Sequence, residues 1–461
     1  MIDKKHIKHF SKFLGTENVY SDKAHLLAYS YDATRTRFEP DAVIFPRDET
    51  DVSAILKYCN EQRIIIVPRG AGSGFTGGAL PSQGGIVLAM EKHMNKILEI
   101  DMDNMVAVVQ PGVINIDLQN AAEEVGLFYP PDPASQEYST IGGNVNENAG
   151  GMRAAKYGIT KDYVMAIRAV LPNGDIIKAG KRTIKDVAGY NIAGILIASE
   201  GTLAVTTEVT MKLLSKPKMT KTAMAVFPTV REAMEAVYKT MSSGVTPVAM
   251  EFLDNLTIRA VESTYNKGLP IEAGAILVTD VDGNLEVDLD FQMAQIEKVF
   301  RENSCSEFHI AKDADEAAAL WFARRNASQA IAMYGSKKIN EDVTVPRAVL
   351  PELLDAFYAI AEKYNINIPC FGHTGDGNVH TNVMVDGSDP EQVKIAYKAI
   401  EEVFQATIDL GGTLSGEHGI GLAKAPYMRM AFTDEEMNLF KTIKLAFDPN
   451  NILNPNKMGL D

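Results

Sequence analysis

PRGAGSGFTGGALP, residues 68–81, decides how the rest of the chain is read. It follows a short apolar run at residues 64–67 and places five glycines within residues 70–78. Glycines this close let successive backbone N–H groups converge on an anion with no side chains in the way. Gly72, Gly74 and Gly77 match G-x-G-x-x-G, but a dinucleotide fingerprint needs a helix to begin there, and Pro81 and a second apolar run at residues 85–90 follow instead. Context therefore excludes the nicotinamide-type Rossmann reading, leaving either an unliganded tight turn or a phosphate cradle of another kind. Two further stretches favour the cradle: YPPDPASQEYSTIGGNVNENAGG at 129–151, with glycines at 142, 143, 150 and 151, and SEGTLAV at 199–205.

Outward from this loop, residues 43–46 and 64–67 read as strands and residues 50–62 as an amphipathic helix between them. The texture changes near residue 216. Thr229 with Glu232 forms a capping box for a helix to about Met241, and the run AILVTDVDG at 275–283 reads as a strand. Asp389 before Pro390 starts a helix, Gly411 and Gly412 stop it, and Thr433 with Glu436 opens a last helix before FDPNNILNP. The first part of the chain reads as α/β or α+β and the second as helices against an antiparallel sheet, so that an α+β fold class is expected for the whole.

The 461 residues are 46% apolar, enough for about three structural units with ordinary cores. A net charge of −15 disfavours a nucleic-acid or anionic-membrane partner. The opening MIDKKHIKHF has no apolar signal core, and no stretch approaches the length of a membrane-spanning helix, so a cytoplasmic protein is expected. Cys59, Cys305 and Cys370 are odd in number and form no CxxC pair, so redox chemistry would need an organic cofactor or a metal on other ligands.

Three of the eight histidines fall in two short motifs, CFGHTGDGNVH and SGEHGIG. Asp376-Gly377 is a two-residue hairpin signal that would set His373 opposite His380 on one face, close enough to share a metal ion. Glu417 offers a third ligand, and two histidines with one carboxylate suit zinc, manganese or ferrous iron. The plainer alternative is a hydrogen-bonded histidine pair with a solvated glutamate. Asn382, two residues beyond His380 on the same strand face, fits a substrate contact. In LWFARRNA, Arg324 lies three residues after Trp321, on one helix face, and can clamp a carboxylate, with Arg325 as the fallback.

PRGAGSGFTGG, PPDPAS, IGGNVNENAGG, KYG at 156–158, SEGTLAV, GHTGDGNVH and SGEHGIG resemble, in order and spacing, the FAD-linked oxidases of the vanillyl-alcohol oxidase superfamily. The similarity is closest to the branch of glycolate oxidase D-subunits and D-lactate dehydrogenases. It implies a two-subdomain FAD-binding domain over residues 1–215, an α+β cap over 216–415, and a segment, 416–461, returning to the FAD domain. The resemblance assigns FAD contacts to Pro68, Arg69, Gly70, Ala71, Gly72, Ser73, Gly74 and Gly77 in the first loop. In the second it assigns Pro131, Asp132, Ser135, Thr140, Ile141, Gly142, Gly143, Asn144, Ala149, Gly150 and Gly151, followed by Tyr157 and Gly158. Glu200, Gly201, Ala204, Val205 and Asn454 complete the set. Some relatives attach the flavin to a histidine in the first loop, which has none here, so FAD should be non-covalent. The same resemblance makes His373, His380 and Glu417 metal ligands, His418 the catalytic base and Arg324 a substrate contact.

The expected activity is dehydrogenation of a small D-2-hydroxy acid, D-lactate first and glycolate next. His418 would take the hydroxyl proton, the metal would orient and acidify that hydroxyl, and hydride would pass to flavin N5. Some relatives place a lysine before DVTVP where this chain has Asn340, with Lys338 two residues earlier, which argues against 2-hydroxyglutarate. With no cluster ligands in the chain, electrons would leave to an electron-transferring flavoprotein, an iron–sulfur subunit or a quinone. The alternatives are a non-catalytic flavoprotein subunit, which would lack the histidine and glutamate set, and a D-2-hydroxyglutarate dehydrogenase.

Overall fold

A computed structural model describes residues 2–460, so Met1 and Asp461, the outer ends of the expected domains, lie outside the described residues. The chain forms two compact units. The first runs to Gly150, resumes over Ile159–Lys216 and returns from Glu417 onward; the second comprises Gly151–Gly158 and Pro217–Gly416. The eight residues Gly151–Gly158 thus interrupt the expected FAD domain and belong with the cap.

The first unit holds two larger sheets and a short third one, in which Leu127–Phe128 pairs with Leu214–Ser215. One is four-stranded, in the order Val19–Tyr20, Ala42–Ile44, Ile86–Ala89, Ile66–Arg69, with its last three strands parallel. Parallel neighbours need a crossover. Between Ile66–Arg69 and Ile86–Ala89 that crossover is the glycine-rich loop itself. The helix Glu49–Gln62 is capped by Asp48, which accepts from the Asp51 N–H. Its apolar face, Val52, Ile55, Leu56 and Cys59, packs with Phe10 and Leu14 against Ile44, Ile66 and Ile86 in one buried core. Ile452 and Leu453 from the carboxy-terminal segment enter the same core, and the Ile66 N–H donates to the Ile452 carbonyl at 2.8 Å. The other larger sheet is antiparallel, in the order Ile97–Asp101, Val106–Val109, Val205–Lys212, Val164–Val170, Ile176–Gly180.

The second unit is built on a seven-stranded antiparallel sheet in the order Glu307–Ile310, Met219–Phe227, Ala275–Gly283, Ala249–Asp254, Cys370–His373, Asn378–Val385, Lys337–Thr344. The helices Val230–Met241, Asn255–Tyr265, Glu286–Glu302, Ala314–Ala330, Leu350–Tyr364 and Pro390–Asp409 accompany it. Thr229 caps Val230–Met241, Asp389 caps Pro390–Asp409, and the capping box of Thr433 with Glu436 is complete in the first unit. Lys156 and Tyr157 tie the short segment to the cap sheet. Lys156 Nζ ion-pairs with Asp282 Oδ1, and the Tyr157 hydroxyl donates to Asp282 Oδ2 at 2.7 Å. No helix among the described residues is long and apolar enough to cross a membrane.

Candidate active site

In the first unit the glycine-rich motifs converge. Gly70 approaches Thr140 so closely that a Cβ added there would lie 2.1 Å from Thr140 Oγ1, and one on Gly201 would lie 3.3 Å from Pro68. Thr140 caps the short helix Ile141–Glu147 by accepting from the Gly143 N–H. Pro131 is held through Asn115, whose Nδ2 donates to the Pro131 carbonyl while its Oδ1 accepts from Asn144. Three buried polar atoms along this cradle, Arg69 Nη1, Ser139 Oγ and Asn454 Oδ1, make no hydrogen bond among the described residues. Buried polar atoms are rarely left so. A backbone cradle with spare donors and acceptors fits a dinucleotide pyrophosphate. Ser139 escaped the sequence reading because a lone serine in a loop carries no pattern.

His418 lies against the first loop. Its ring centroid is 5.2 Å from that of Phe75, and the Thr76 hydroxyl donates to its carbonyl at 3.3 Å. Glu417 closes on the end of the second motif, where a Cβ on Gly150 would lie 3.1 Å from Glu417 Oε2. Two of the residues expected to contact FAD have side-chain partners within the protein. The Tyr157 hydroxyl is engaged by Asp282, and both Glu200 carboxylate oxygens accept backbone N–H groups, from Ile420 and Gly421.

In the cap, the hairpin of CFGHTGDGNVH differs in register from the expectation. Phe371, not His373, stands opposite His380, and Cys370 opposite Thr381. The turn is therefore longer than the Asp376-Gly377 pair, since Asp376 and Gly377 donate back to the His373 and Thr374 carbonyls. The offset is even, so face parity is kept: His373 follows Phe371 by two residues and stays on the His380 face. Their Nε2 atoms are 3.3 Å apart.

Glu251, which has no motif of its own, organises this face. It sits opposite His373 on the strand Ala249–Asp254, is fully buried, and its Oε1 is 2.7 Å from His373 Nδ1. A carboxylate accepts, so this contact favours a proton on His373 Nδ1, and the neutral imidazole in that tautomer has its lone pair at Nε2. Glu251 Oε2 accepts from Arg324 Nε at 2.5 Å, and the guanidinium lies 5.0 Å from the Phe371 ring centroid. Arg324 is thus fixed by one edge, and its Nη atoms make no hydrogen bond among the described residues. Arg325 is exposed and lies in the field of Asp280, which also accepts from Trp321 Nε1 and whose carboxyl burial raises to about 6.

Asn382 is already hydrogen-bonded within the cap. It is fully buried, with Nδ2 donating to the Pro369 and His380 carbonyls and Oδ1 accepting from Asn340. The strand Lys337–Thr344 pairs along its far side and sets Asn340 opposite it.

His373 and His380 each offer one ring nitrogen to a metal ion, and Glu417 is the third residue that could ligate it. Two nitrogens bound at about 2.0–2.1 Å to a tetrahedral zinc stand about 3.3–3.4 Å apart, which is the separation the two imidazoles show. The two imidazoles are therefore spaced as two ligands of a divalent transition metal would be.

Three converging glycine-rich loops in the first unit and an antiparallel second unit are the architecture of a flavin-dependent oxidoreductase, and the family comparison agrees. Residues 40–180 match the FAD binding domain and residues 216–458 the C-terminal domain of FAD linked oxidases, and the chain belongs to that family. It is 45% identical to the glycolate oxidase subunit GlcD of Bacillus subtilis, over 96% of this chain and 94% of that protein. It is 35% identical to a D-lactate dehydrogenase of Anaerostipes hadrus, over 91% of this chain and 89% of that one. The solved structure of p-cresol methylhydroxylase shares the fold, with a TM-score of 0.83 at 20% identity over 99% of this chain and 96% of that one.

Proposed function

We propose that this flavoenzyme dehydrogenates a small D-2-hydroxy acid, D-lactate first and glycolate next, with non-covalent FAD and one divalent metal on His373, His380 and Glu417. The observation that carries the reading is that Glu251 binds both His373 and Arg324. A 2-hydroxy acid carries its hydroxyl and carboxylate on adjacent carbons, so it needs a site for each group only a few ångströms apart. One buried carboxylate that orients a metal-ligating imidazole and a guanidinium supplies that pairing.

FAD, when bound, supplies the acceptor for the hydride leaving the substrate carbon, and the metal supplies a positive centre for the hydroxyl oxygen. Arg324 binds the carboxylate through its open Nη edge and holds the molecule in one orientation. His418, adjacent in sequence to Glu417, takes the hydroxyl proton. Asn340 supports a small substrate: it is neutral, and its amide is committed to Asn382 where a distal carboxylate would need a cation.

The cysteines are free, buried and in separate parts of the chain, so electrons pass onward to an electron-transferring flavoprotein, an iron–sulfur subunit or a quinone. The name of the Bacillus subtilis relative as a subunit supports a protein partner. The deciding test is anaerobic bleaching of the flavin by D-lactate, L-lactate, glycolate and D-2-hydroxyglutarate in turn. Rapid bleaching by D-lactate is expected. Bleaching only by D-2-hydroxyglutarate would favour the larger substrate, and bleaching by none would favour a non-catalytic flavoprotein subunit.

A further inference from the structure

The SEGTLAV segment holds a glutamate whose side chain grips the backbone of another loop. Glu200 Oε1 accepts the Ile420 N–H and Oε2 the Gly421 N–H, both at 2.7 Å, two and three residues beyond His418. Glu200 itself has φ +50, a left-handed conformation that glycine or asparagine would adopt at less cost. The two side-chain hydrogen bonds help to offset the cost of that backbone conformation. Burial raises the Glu200 carboxyl pKa, and the two N–H donors together with Lys457 and Lys424 oppose that rise.

The loop it holds is fixed from a second side. The Thr76 carbonyl accepts from Leu422 and Ala423 at 2.7 and 2.9 Å, while the Thr76 hydroxyl donates to the His418 carbonyl. Gly419 and Gly421 have φ +84 and +50, and Cβ atoms there would meet Glu147 Oε2 at 2.1 Å and the Thr76 carbonyl at 2.3 Å. The backbone after His418 is therefore gripped between Glu200 and the first glycine-rich loop.

We infer that Glu200 is a positioning residue that sets the placement of His418 by chelating the backbone of residues 420–421 between its two carboxylate oxygens. This rests on the reading of His418 as the base. Glu200→Gln keeps the size but replaces one acceptor by an NH₂ group that must face an N–H donor.

The test is a double-mutant cycle of Glu200→Gln and His418→Ala, read by stopped-flow flavin reduction with whichever acid of the four bleaches the flavin. Misplacement of a catalytic group by about 1 Å costs on the order of 10²-fold. Glu200→Gln should retain FAD, bind substrate within about threefold of the wild type, and lower the limiting rate about ten- to hundredfold. On a His418→Ala background it should lower the rate by less than about threefold, because the group it positions is gone. Losses that multiply in the double variant would overturn the inference while leaving His418 as the base. A full reduction rate in His418→Ala alone would overturn both. Loss of FAD from Glu200→Gln, with the remaining holoenzyme reducing at the normal rate, would overturn it in favour of a cofactor contact. Should Glu200→Gln not fold, Glu200→Asp, one methylene shorter with both oxygens kept, carries the same cycle and the same outcomes.

Discussion

Glu251→Gln changes one oxygen for an NH₂ group at a carboxylate with a different donor on each side. If the amide oxygen keeps His373, the NH₂ is driven against Arg324 Nε–H; if it keeps Arg324, the NH₂ faces His373 Nδ1 and forces the imidazole proton onto Nε2, where the metal would bind. No room exists for a water to mediate, because Glu251 is 0% exposed and the two contacts are 2.7 and 2.5 Å. Loss of such a supporting partner weakens metal binding about 10- to 100-fold, or about 1.4–2.7 kcal/mol. The assay is competition of metal-stripped protein with a chromophoric chelator for zinc or manganese. Thermal unfolding followed through Trp321, the single tryptophan, checks that the cap is intact. Unchanged metal affinity in a folded Glu251→Gln variant would refute the idea that Glu251 orients His373 for a metal.

Acid precipitation should release all the FAD and leave a colourless pellet, since the first loop has no histidine to attach it; yellow colour kept in the pellet sinks the non-covalent reading. Arg324→Lys cannot hold Glu251 and present a carboxylate fork together, so the apparent Kd for hydroxy acid should rise at least about tenfold, whereas Arg325→Ala should move it by less than about twofold. The reverse ranking, measured by anaerobic titration, would transfer the clamp to Arg325. Asp254 is buried under the Thr257 and Cys370 N–H groups, and burial raises its carboxyl from 3.8 to about 6. A raised carboxyl stabilises the fold fully below pH 3.8 and loses that contribution as pH rises through about 6, by about 3 kcal/mol at most. Asp254→Asn should remove this component from the unfolding midpoint measured between pH 4 and 7, and an identical pH profile in both proteins would refute it.

What could be read in advance was what repeats locally. The caps at Thr229, Asp389 and Thr433 are short-range chemistry and appear in the structure as helix starts. The alternation through His380 survived a misjudged turn because an even offset preserves the face. Glu251 was not legible, being 122 residues from the histidine it orients and marked by no motif, only by strand pairing that the sequence does not display. Asn382 shows the converse: periodicity gave its face, but a neighbouring strand 42 residues earlier in the chain decided that its amide would be buried against Asn340. Long-range pairing reassigned Tyr157 as well.

That reassignment bears on how such proteins can be recombined. A cap exchanged between relatives at the two obvious seams, after Lys216 and before Glu417, would leave behind Lys156 and Tyr157, whose partner Asp282 departs with the cap. The transplanted sheet would carry an orphaned buried aspartate and the recipient an unmatched lysine. The heritable module is therefore discontinuous, and a chimera should tolerate four breakpoints better than two, with residues 151–158 travelling alongside the larger piece.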